Sequence, residues 1–425
     1  MASTYLSRTP ASAGNQKTFT ISTWVKFHQF TPEKFILSSG AYGGSRSFQV
    51  ASGTNAQLDV QSNSNGVADY FIRTNRVFRD VLGWFHIVVA VDTTQATSTD
   101  RVKIYVNGVQ ETSFSSASYP SLNFDTGLNS TQEHQINGRP STSDYGSVSH
   151  SHFHLIDGTA YDASAFGETD ATTGIWKPKT APSVTYGTNG FFLKFENSGS
   201  MGTDSSPNGN NLTVNGTLTQ TVDTPSNVFC TGNPLNVDGT GVTTLINGNL
   251  THTNNYSSTG TLAISKGKWY FEIKRQDNGG TITNWQYVGF RPIDRATGTG
   301  RIYRSSNGDY YNGSAYVSYG ASWGDGDIIG IALDYDNDTI EFYKNGVSQG
   351  SQTSTGLCDG TLVTPIWQCS RSSGSPYLHA NFGNGYFGTT AVSSATSDES
   401  GLGIFEHTVP SGYNCLCTKN INTYG

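Results

Sequence analysis

The sequence has little charge, few strong helix formers and no long apolar run. Charged residues make up 13% of its 425 residues, and methionine occurs twice. There is no basic stripe that could follow a phosphate backbone, which excludes nucleic acid as an expected partner. No stretch approaches the roughly 20 apolar residues of a membrane-spanning helix, so we expect no membrane insertion. The opening residues lack a basic-then-apolar signal peptide, which predicts synthesis in the cytoplasm.

Cysteine is also scarce. The five cysteines are Cys230, Cys358, Cys369, Cys415 and Cys417, an odd number at irregular spacing. This pattern disfavours a disulfide framework, and no Cys or His pair lies at zinc-ligand spacing from the last two. We expect free thiols from a reducing compartment, with Cys415 and Cys417 on one face of an extended chain. A bond between Cys358 and Cys369 is left open.

Glycine and aromatic residues are abundant instead, with 49 Gly, 22 Tyr and 22 Phe. Aromatic residues suit pleated, half-buried surfaces, and glycine supplies turns. Apolar residues alternate with period 2 in Thr18–Val25, Gly83–Val91 and Arg101–Val106. The last run ends at Asn107-Gly108, a strong signal for a type I′ hairpin turn. These patterns predict an antiparallel β-structure in the first half.

The second half repeats this arrangement. Lys268–Ile273 and Asp327–Asp334 read as strands, and Thr339–Lys344 leads into a second hairpin turn at Asn345-Gly346. A stretch rich in Gly, Ser, Asn and Thr separates the halves. We therefore predict two successive β-sandwiches. Their limits are 1–195 for the first sandwich, 196–233 for a connector, 234–388 for the second sandwich and 389–425 for a C-terminal tail.

Each half resembles a known family. Phe19–Lys26, Gly83–Val88 and Ile104–Gly108 resemble a laminin-G-like, concanavalin A-like jelly roll. The second half is similar to a SPRY domain, and the segments that carry this similarity are Gly267–Glu272, Val288–Phe290, Gly326–Asp334 and Asn381–Gly383. The resemblance implies an all-β fold of two tandem concanavalin A-like jelly-roll β-sandwiches, laminin-G-like and then SPRY.

The whole chain also resembles structural proteins of marine tailed phages. Segments that recur there in the same order are Tyr5–Asn15, Leu155–Gly158, Ile175–Pro178, Asp223–Pro225 and Cys417–Asn420. This resemblance implies a virion protein: a tail fibre, a tail appendage or a capsid-surface component. Its expected partners are other virion proteins and a glycan or protein of the host surface.

Those phage proteins carry a further strand before the segment that begins at Tyr5, whereas here only Met1–Thr4 precede it. An unpaired sheet edge readily pairs with another chain. We therefore expect an open edge at this strand and a homo-oligomer assembled through it.

No catalytic constellation is present. The best candidate for the carboxylate pair of a glycosidase is in Asp334–Asp338, just before a strand that ends in a hairpin turn. A solvated turn is the favoured interpretation of this segment. There is no GxSxG nucleophile elbow between a strand and a helix, and no HExxH motif or Cys/His pairing. We expect a non-enzymatic adhesion protein. The alternative is a purely structural decoration protein that stabilises the particle, and a more distant one is a glycan depolymerase.

Two candidate metal sites compete with simpler interpretations. No cofactor is required by the sequence, but the laminin-G-like resemblance implies calcium at the loop that contains Asp204, Asn208 and Asn210, where the alternative is a plain turn. Alternation places His150, His152 and His154 on one strand face, which suits either a transition metal or a polar outer face.

Exposed aromatic residues are the candidate ligand site. Rings interleave with Ser, Asn and Gly in the second half, a composition that suits an adaptable binding surface. By alternation, half of these rings belong to the core. The candidate ligand-binding residues are Trp285, Tyr310, Tyr311, Tyr316 and Trp323.

Overall fold

The computed structural model describes residues 4–29, 33–41, 43–53, 55–238, 244–253, 257–278, 286–294, 300–369 and 376–425. The chain divides into two compact units, Met1–Gln220 and Thr221–Gly425. Both are built almost wholly of antiparallel strands, and one α-helix occurs among the described residues. The predicted all-β class is therefore confirmed. No helix in these ranges is long and apolar enough to cross a membrane.

Among its described residues, the first unit has sixteen strands and two short 3-10 helices, Ser98–Asp100 and Ala163–Ala165. The strands are β1 Tyr5–Arg8, β2 Thr18–Phe27, β3 Lys34–Ser39, β4 Ser47–Ser52, β5 Gln57–Ser64, β6 Val67–Val77, β7 Phe85–Asp92, β8 Val102–Val106, β9 Val109–Gln110, β10 Phe114–Ser118, β11 His134–Ile136, β12 Val148–Asp157, β13 Gly167–Thr169, β14 Trp176–Pro178, β15 Phe191–Leu193 and β16 Thr213–Asn215.

Two sheets of the first unit enclose one core. The eight-stranded sheet has the order β10-β6-β5-β4-β3-β11-β1-β16, and the six-stranded sheet has the order β15-β12-β2-β7-β8-β9. Alternate residues of both sheets are buried between them, such as Phe19 and Ile21 of β2 against Phe48 and Val50 of β4. Each such side chain contributes about 1.5–3 kcal/mol by leaving water. The period-2 pattern thus forms a sandwich, as predicted.

The outward face of the six-stranded sheet is covered by the segment that follows β12. Val88 and Ile156 point outward and pack with Phe166, Tyr186 and Phe192 in a second hydrophobic cluster. This cover includes the two-stranded hairpin of β13 and β14. No comparable hydrophobic cluster lies on the outward face of the eight-stranded sheet among the described residues.

The expectation of an open edge at β1 is wrong. Strand β1 pairs with β11 on one side and with β16 on the other, with Leu6 opposite Ile136 and Val214. Strand β16 comes from the stretch predicted as a connector, and it pairs with the side of β1 that was expected to be open. Assembly of copies through β1 therefore has no structural basis.

Nineteen strands and one helix lie in the part of the second unit that the structure describes. They are β17 Gly232–Asp238, β18 Leu245–Ile246, β19 Thr251–His252, β20 Ser257–Gly260, β21 Lys268–Asp277, β22 Tyr287–Pro292, β23 Arg301–Arg304, β24 Asp309–Tyr311, β25 Tyr316–Ser318, β26 Ile328–Asp334, β27 Thr339–Lys344, β28 Val347–Thr353, β29 Val363–Gln368, β30 Pro376–Asn381, β31 Tyr386–Phe387, β32 Thr390–Ala391, β33 Thr396–Ser397, β34 Ile404–Phe405, β35 Asn414–Cys415 and α1 Thr418–Tyr424.

This unit is also a two-sheet sandwich. One sheet has the order β17-β20-β29-β22-β23-β24-β25, and the other has the order β18-β19-β30-β21-β26-β27-β28. Trp269, Phe271, Phe290 and Trp367 lie between the sheets.

Both predicted hairpin turns have positive φ at their two central residues, at Asn107 (48°) and Gly108 (84°) and at Asn345 (50°) and Gly346 (79°). These angles are those of the predicted type I′ turn.

The stretch predicted as a C-terminal tail packs onto the second unit. Strand β35 pairs with β21, and Leu416 lies in the main core. Phe405 and Cys415 form a further cluster with Tyr270 on the outward face of β21. The buried carboxylate of Glu272 accepts hydrogen bonds from the backbone N–H groups of residues 406 and 407, both at 2.9 Å. In each unit, a later segment therefore covers the outward face of one sheet.

Candidate functional site

The outward face of the eight-stranded sheet in the first unit carries a continuous row of amide and hydroxyl side chains. The backbone register aligns one residue from each of five neighbouring strands. In order across the sheet, the residues of this polar row are Gln61, Gln49, Ser38, Gln135 and Ser7. At a strand spacing of about 4.8 Å, the polar row spans roughly 19 Å.

Two central members of the polar row are buried without being satisfied. Gln49 is 2% exposed and its Nε2 has no hydrogen-bond partner, and Gln135 is 5% exposed with no partner at Oε1. Two residues further along β4 and β5, on the same face, Ser47 lies opposite Asn63, and the Ser47 hydroxyl and Asn63 Nδ2 also lack partners. An unpaired buried polar group costs about 1–3 kcal/mol. These donors and acceptors therefore favour a ligand or water that supplies hydroxyl groups.

Charges beside the polar row are compensated within the protein. Arg73 donates to both carboxylate oxygens of Asp59, at 2.7 and 2.6 Å, and its guanidinium lies 4.9 Å from the ring centre of Phe71. Asp69 accepts a hydrogen bond from the Ser64 hydroxyl at 2.8 Å. Beside the polar row, the face therefore offers this ion pair, a hydrogen-bonded carboxylate and an aromatic ring.

The predicted aromatic site is divided between core and surface. Tyr310 and Trp323 are 1% and 3% exposed and belong to the core of the second unit. Tyr311 and Tyr316 lie opposite each other on β24 and β25, with ring centres 5.0 Å apart, and Tyr316 is 38% exposed. The structure therefore brings only these two together at the surface. Trp285 lies outside the described residues.

The predicted calcium loop is held by protein groups. The Asp204 carboxylate accepts hydrogen bonds from the backbone N–H groups of Phe192 (2.8 Å) and Asn210 (2.7 Å). The side-chain amides of Asn208 and Asn210 donate to backbone carbonyls of residues 187–190. Arg8 donates to Asn210 Oδ1 at 2.5 Å, which places a cation where calcium would need an oxygen ligand. These residues do not fit a calcium ion.

The expectation of three histidines on one strand face is wrong because of a β-bulge. The register of β12 against β2 shifts between Ser151 and His154, and His152 has a positive φ of 49°. His150 lies opposite the core residue Val25, whereas His154 lies opposite Ser22 on the outward face. An extra residue in a bulge reverses the alternation of the residues that follow it. Within the described ranges, no three His, Cys, Asp or Glu side chains converge on a metal position.

Sequence reasoning missed the polar row. Its only local signal is the alternation of polar with apolar residues, as in Ser47-Phe48-Gln49-Val50, which is common to any half-buried strand. The alignment of Gln49 with Gln61 and Gln135 depends on strand register across β11, which lies more than 80 residues from β4 in the chain.

Comparison with known proteins identifies both domain types. Residues 2–145 match the family model of the concanavalin A-like lectin/glucanases superfamily, and residues 268–376 match the SPRY domain. The two predicted domains are thus present in tandem and in the predicted order. Domains of these two kinds are typical of binding or adhesion modules.

Individual matches each cover 36% of the chain or less. The E3 ubiquitin-protein ligase RKP of Arabidopsis thaliana is 35% identical over 92 residues, which are 21% of this chain and 7% of that protein. Among solved structures, the SPRY domain of human HERC1 is 17% identical with a TM-score of 0.29, covering 35% of this chain and 96% of that one. The TRIM65 PSpry domain is 11% identical with a TM-score of 0.28, covering 36% and 88%. Stonustoxin is 13% identical with a TM-score of 0.29, covering 36% and 28%.

Proposed function

We propose that the chain is a non-enzymatic adhesion protein whose first unit binds a glycan along the polar row. The observation that carries this proposal is the set of buried, unpartnered groups at Gln49, Gln135, Ser47 and Asn63. Amide and hydroxyl groups both donate to and accept from sugar hydroxyls. The superfamily matched by residues 2–145 is named for lectins and glucanases, which agrees with a carbohydrate ligand.

Binding without cleavage is favoured by the state of the neighbouring carboxylates. A glycosidase needs one carboxylic acid to protonate the leaving group and a second carboxylate beside the scissile bond. Both oxygens of Asp59 are engaged by Arg73, and Asp69 is hydrogen bonded to Ser64. Neither group is placed for proton transfer to a ligand on the polar row. Release of reducing sugar from a bound polysaccharide would instead support the depolymerase alternative.

Replacing Gln49 and Gln135 together by alanine is expected to weaken glycan binding at least tenfold. Each truncation removes hydrogen bonds worth about 1 kcal/mol, without removing core contacts. The measurement is binding of the full chain to an array of neutral oligosaccharides, followed by titration of the best ligand.

EDTA is expected to leave this binding unchanged, because Asp204, Asn208 and Asn210 are already bonded to the protein.

The matched control is Gln110→Ala, which truncates an exposed glutamine of β9 in the other sheet. It should bind and melt like the wild type. Equal binding by the Gln49/Gln135 variant would refute the polar row as the site. No binding to any oligosaccharide by the wild type would favour the structural decoration protein instead.

We further propose that this adhesion protein belongs to a virion, with other virion proteins as partners and a host-surface glycan as the ligand. The support is the ordered set of phage-like segments from Tyr5–Asn15 to Cys417–Asn420. The expected result is that peptides of this chain co-purify with intact phage particles through a density gradient and stay bound at high salt. Peptides found only in the soluble lysate fraction would count against a virion location.

A further inference from the structure

Two cysteine thiols of the second unit lie close together. The Sγ atoms of Cys415 and Cys417 are 3.7 Å apart, and both residues are fully buried. The other three cysteines are likewise not joined in disulfides. Their sulfur atoms contact hydroxyl groups or backbone carbonyls, as Cys358 contacts the Ser354 hydroxyl at 3.4 Å and Cys369 contacts the carbonyl of His252 at 3.8 Å. The pairing left open between Cys358 and Cys369 is thus not formed.

The backbone explains why the two thiols meet. Cys415 ends strand β35 beside Tyr270, and Cys417 bridges to Phe229 in an extended conformation with φ −138° and ψ 161°. Leu416, between them, lies at a bend and points into the core, and the bend is closed by a hydrogen bond of 3.1 Å from the Cys417 N–H to the carbonyl of Cys415. The two thiols lie on the same side, as predicted, but the chain between them turns instead of running extended.

The two sulfur atoms are chemically different. The Cys415 thiol donates a hydrogen bond to Cys417, which lowers the pKa of Cys417 to about 7, and the same bond together with burial raises the pKa of Cys415. The side-chain amide of Asn420 donates to Cys415 Sγ at 3.2 Å. Cys417 is therefore the more readily ionised thiol of the pair, and Cys415 is the hydrogen-bond donor.

We propose that Cys415 and Cys417 are a modification site that closes reversibly into an intramolecular disulfide when it meets a low-molecular-weight disulfide. The proposal goes beyond glycan binding and does not depend on it, because it concerns the second unit only. A disulfide requires the sulfur atoms to approach to about 2.05 Å, so the backbone on either side of Leu416 must shift.

The reaction proceeds in two exchange steps. The Cys417 thiolate attacks one sulfur of the small disulfide, forms a mixed disulfide and releases one small thiolate. Cys415 then loses its proton and attacks Cys417 Sγ, which forms the protein disulfide and releases the second small thiolate. The two protein thiols are oxidised, and the small disulfide is reduced to two thiols that take up the two protons.

Access to the buried sulfur atoms requires local opening of the C-terminal segment. Helix α1 has only seven residues, and most of them are exposed. Its contacts include hydrogen bonds from Asn420 to Cys415 and from Lys419 N–H to the Asn227 side chain. A short, mostly exposed helix opens more readily than a core strand. We therefore expect oxidation to be slow and to be accelerated by low concentrations of urea.

The test is incubation of the folded, full-length chain with glutathione disulfide, followed by unfolding, alkylation with N-ethylmaleimide and intact mass measurement. The reduced chain has five thiols to alkylate. After oxidation we expect two fewer labels, and peptide mapping that links Cys415 to Cys417. Dithiothreitol should restore all of the labels.

Single substitutions distinguish the attacking thiol of Cys417 from the resolving thiol of Cys415. Cys415→Ser should trap a glutathione adduct on Cys417, because the resolving thiol is missing, whereas Cys417→Ser should form neither adduct nor disulfide. Cys358→Ser, the matched control, should still lose two labels. Full labelling of the oxidised wild type, or a disulfide mapped to another pair, would overturn the proposal. The wild-type peptide map gives this answer even if a variant fails to fold.

Discussion

At pH 4 the first unit is expected to have lost most of its stability, because its fold holds several histidines neutral. His28, His86 and His134 are 5%, 1% and 3% exposed. Burial lowers the pKa of His28 and His86 to about 3 and that of His134 to about 4. In the unfolded chain each titrates near 6.5. Their contribution to folding is therefore complete above pH 6.5 and is lost as the pH falls towards the folded pKa values.

The size of this effect follows from proton linkage. Each histidine costs about 1.4 kcal/mol of unfolding free energy for every pH unit between its two pKa values. Three together cost about 4 kcal/mol per unit, whereas a typical domain has only about 5–15 kcal/mol in total. Two pH units below 6.5 are thus sufficient to approach the whole stability of the unit.

His86 shows the structural cause. Its Nδ1 accepts a hydrogen bond from Trp176 Nε1 at 2.9 Å, its Nε2 lies 2.9 Å from the Ser22 hydroxyl, and its ring stacks on Trp24. Nδ1 can accept from Trp176 only while it carries no proton. Protonation would place the new N–H group of His86 Nδ1 against the indole N–H of Trp176. It would also bury a positive charge beside the ring of Trp24.

The measurement is urea unfolding at pH 7, 5.5 and 4.5. Unfolding of the first unit is detected by the hydrogen-exchange rates of its peptides at each urea concentration. We expect the unfolding midpoint of these peptides to fall steeply below pH 6. His86→Gln removes one titrating group, so its stability should depend less steeply on pH than that of the wild type. A midpoint that is the same at pH 7 and pH 4.5 would show that the buried histidines are not held neutral.

Asp398→Ala is expected to destabilise the second unit by about 4 kcal/mol or to prevent its C-terminal segment from packing. The carboxylate is 6% exposed and accepts backbone hydrogen bonds from Leu402 (3.0 Å), Gly403 (2.9 Å) and Cys415 (2.7 Å). It also accepts from the Ser400 hydroxyl. Alanine would leave several buried N–H groups unpaired, at about 1–3 kcal/mol for each.

The state of the Asp398 carboxyl agrees with this role. Burial alone would raise its pKa, but hydrogen bonds from the N–H groups of Cys415 and Gly403 outweigh burial and hold the pKa below its ordinary value. The carboxylate is therefore ionised in the fold at neutral pH. Its contribution to stability is present above the unfolded pKa near 3.9 and is lost only at lower pH.

The control for this prediction is Glu399→Ala, the exposed neighbour, whose carboxylate receives one backbone hydrogen bond, from Gly412. Thermal unfolding and limited proteolysis compare the two variants. Asp398→Ala should melt many degrees lower and be cleaved within residues 389–425, whereas Glu399→Ala should stay close to the wild type. Equal stability of the two would mean that Asp398 does not organise this segment.

The candidate ligand residues show how far sequence reasoning reaches. Alternation along β24 requires Tyr310 and Tyr311 to point to opposite faces, and this was predictable. Which of them is buried depends on the second sheet, which packs Phe342 of β27 against Tyr310. Trp323 also lies in a stretch of aromatic and small polar residues, but its side chain is in the core. Only Tyr311 and Tyr316 of the predicted set remain together on the outward face.

The sequence by itself determined the class of fold, because period-2 alternation and Asn-Gly turns are local features that specify strands and hairpins. It also placed the thiols of Cys415 and Cys417 close together, since they are two residues apart in the chain, whereas the bend at Leu416 that joins them was not predicted. Tertiary structure alone decided the alignment of Gln49 with Gln135, the bulge at His152 and the closure of β1 by β16. Each of these depends on the register between strands that are far apart in the chain, and that register is set by packing of the whole core.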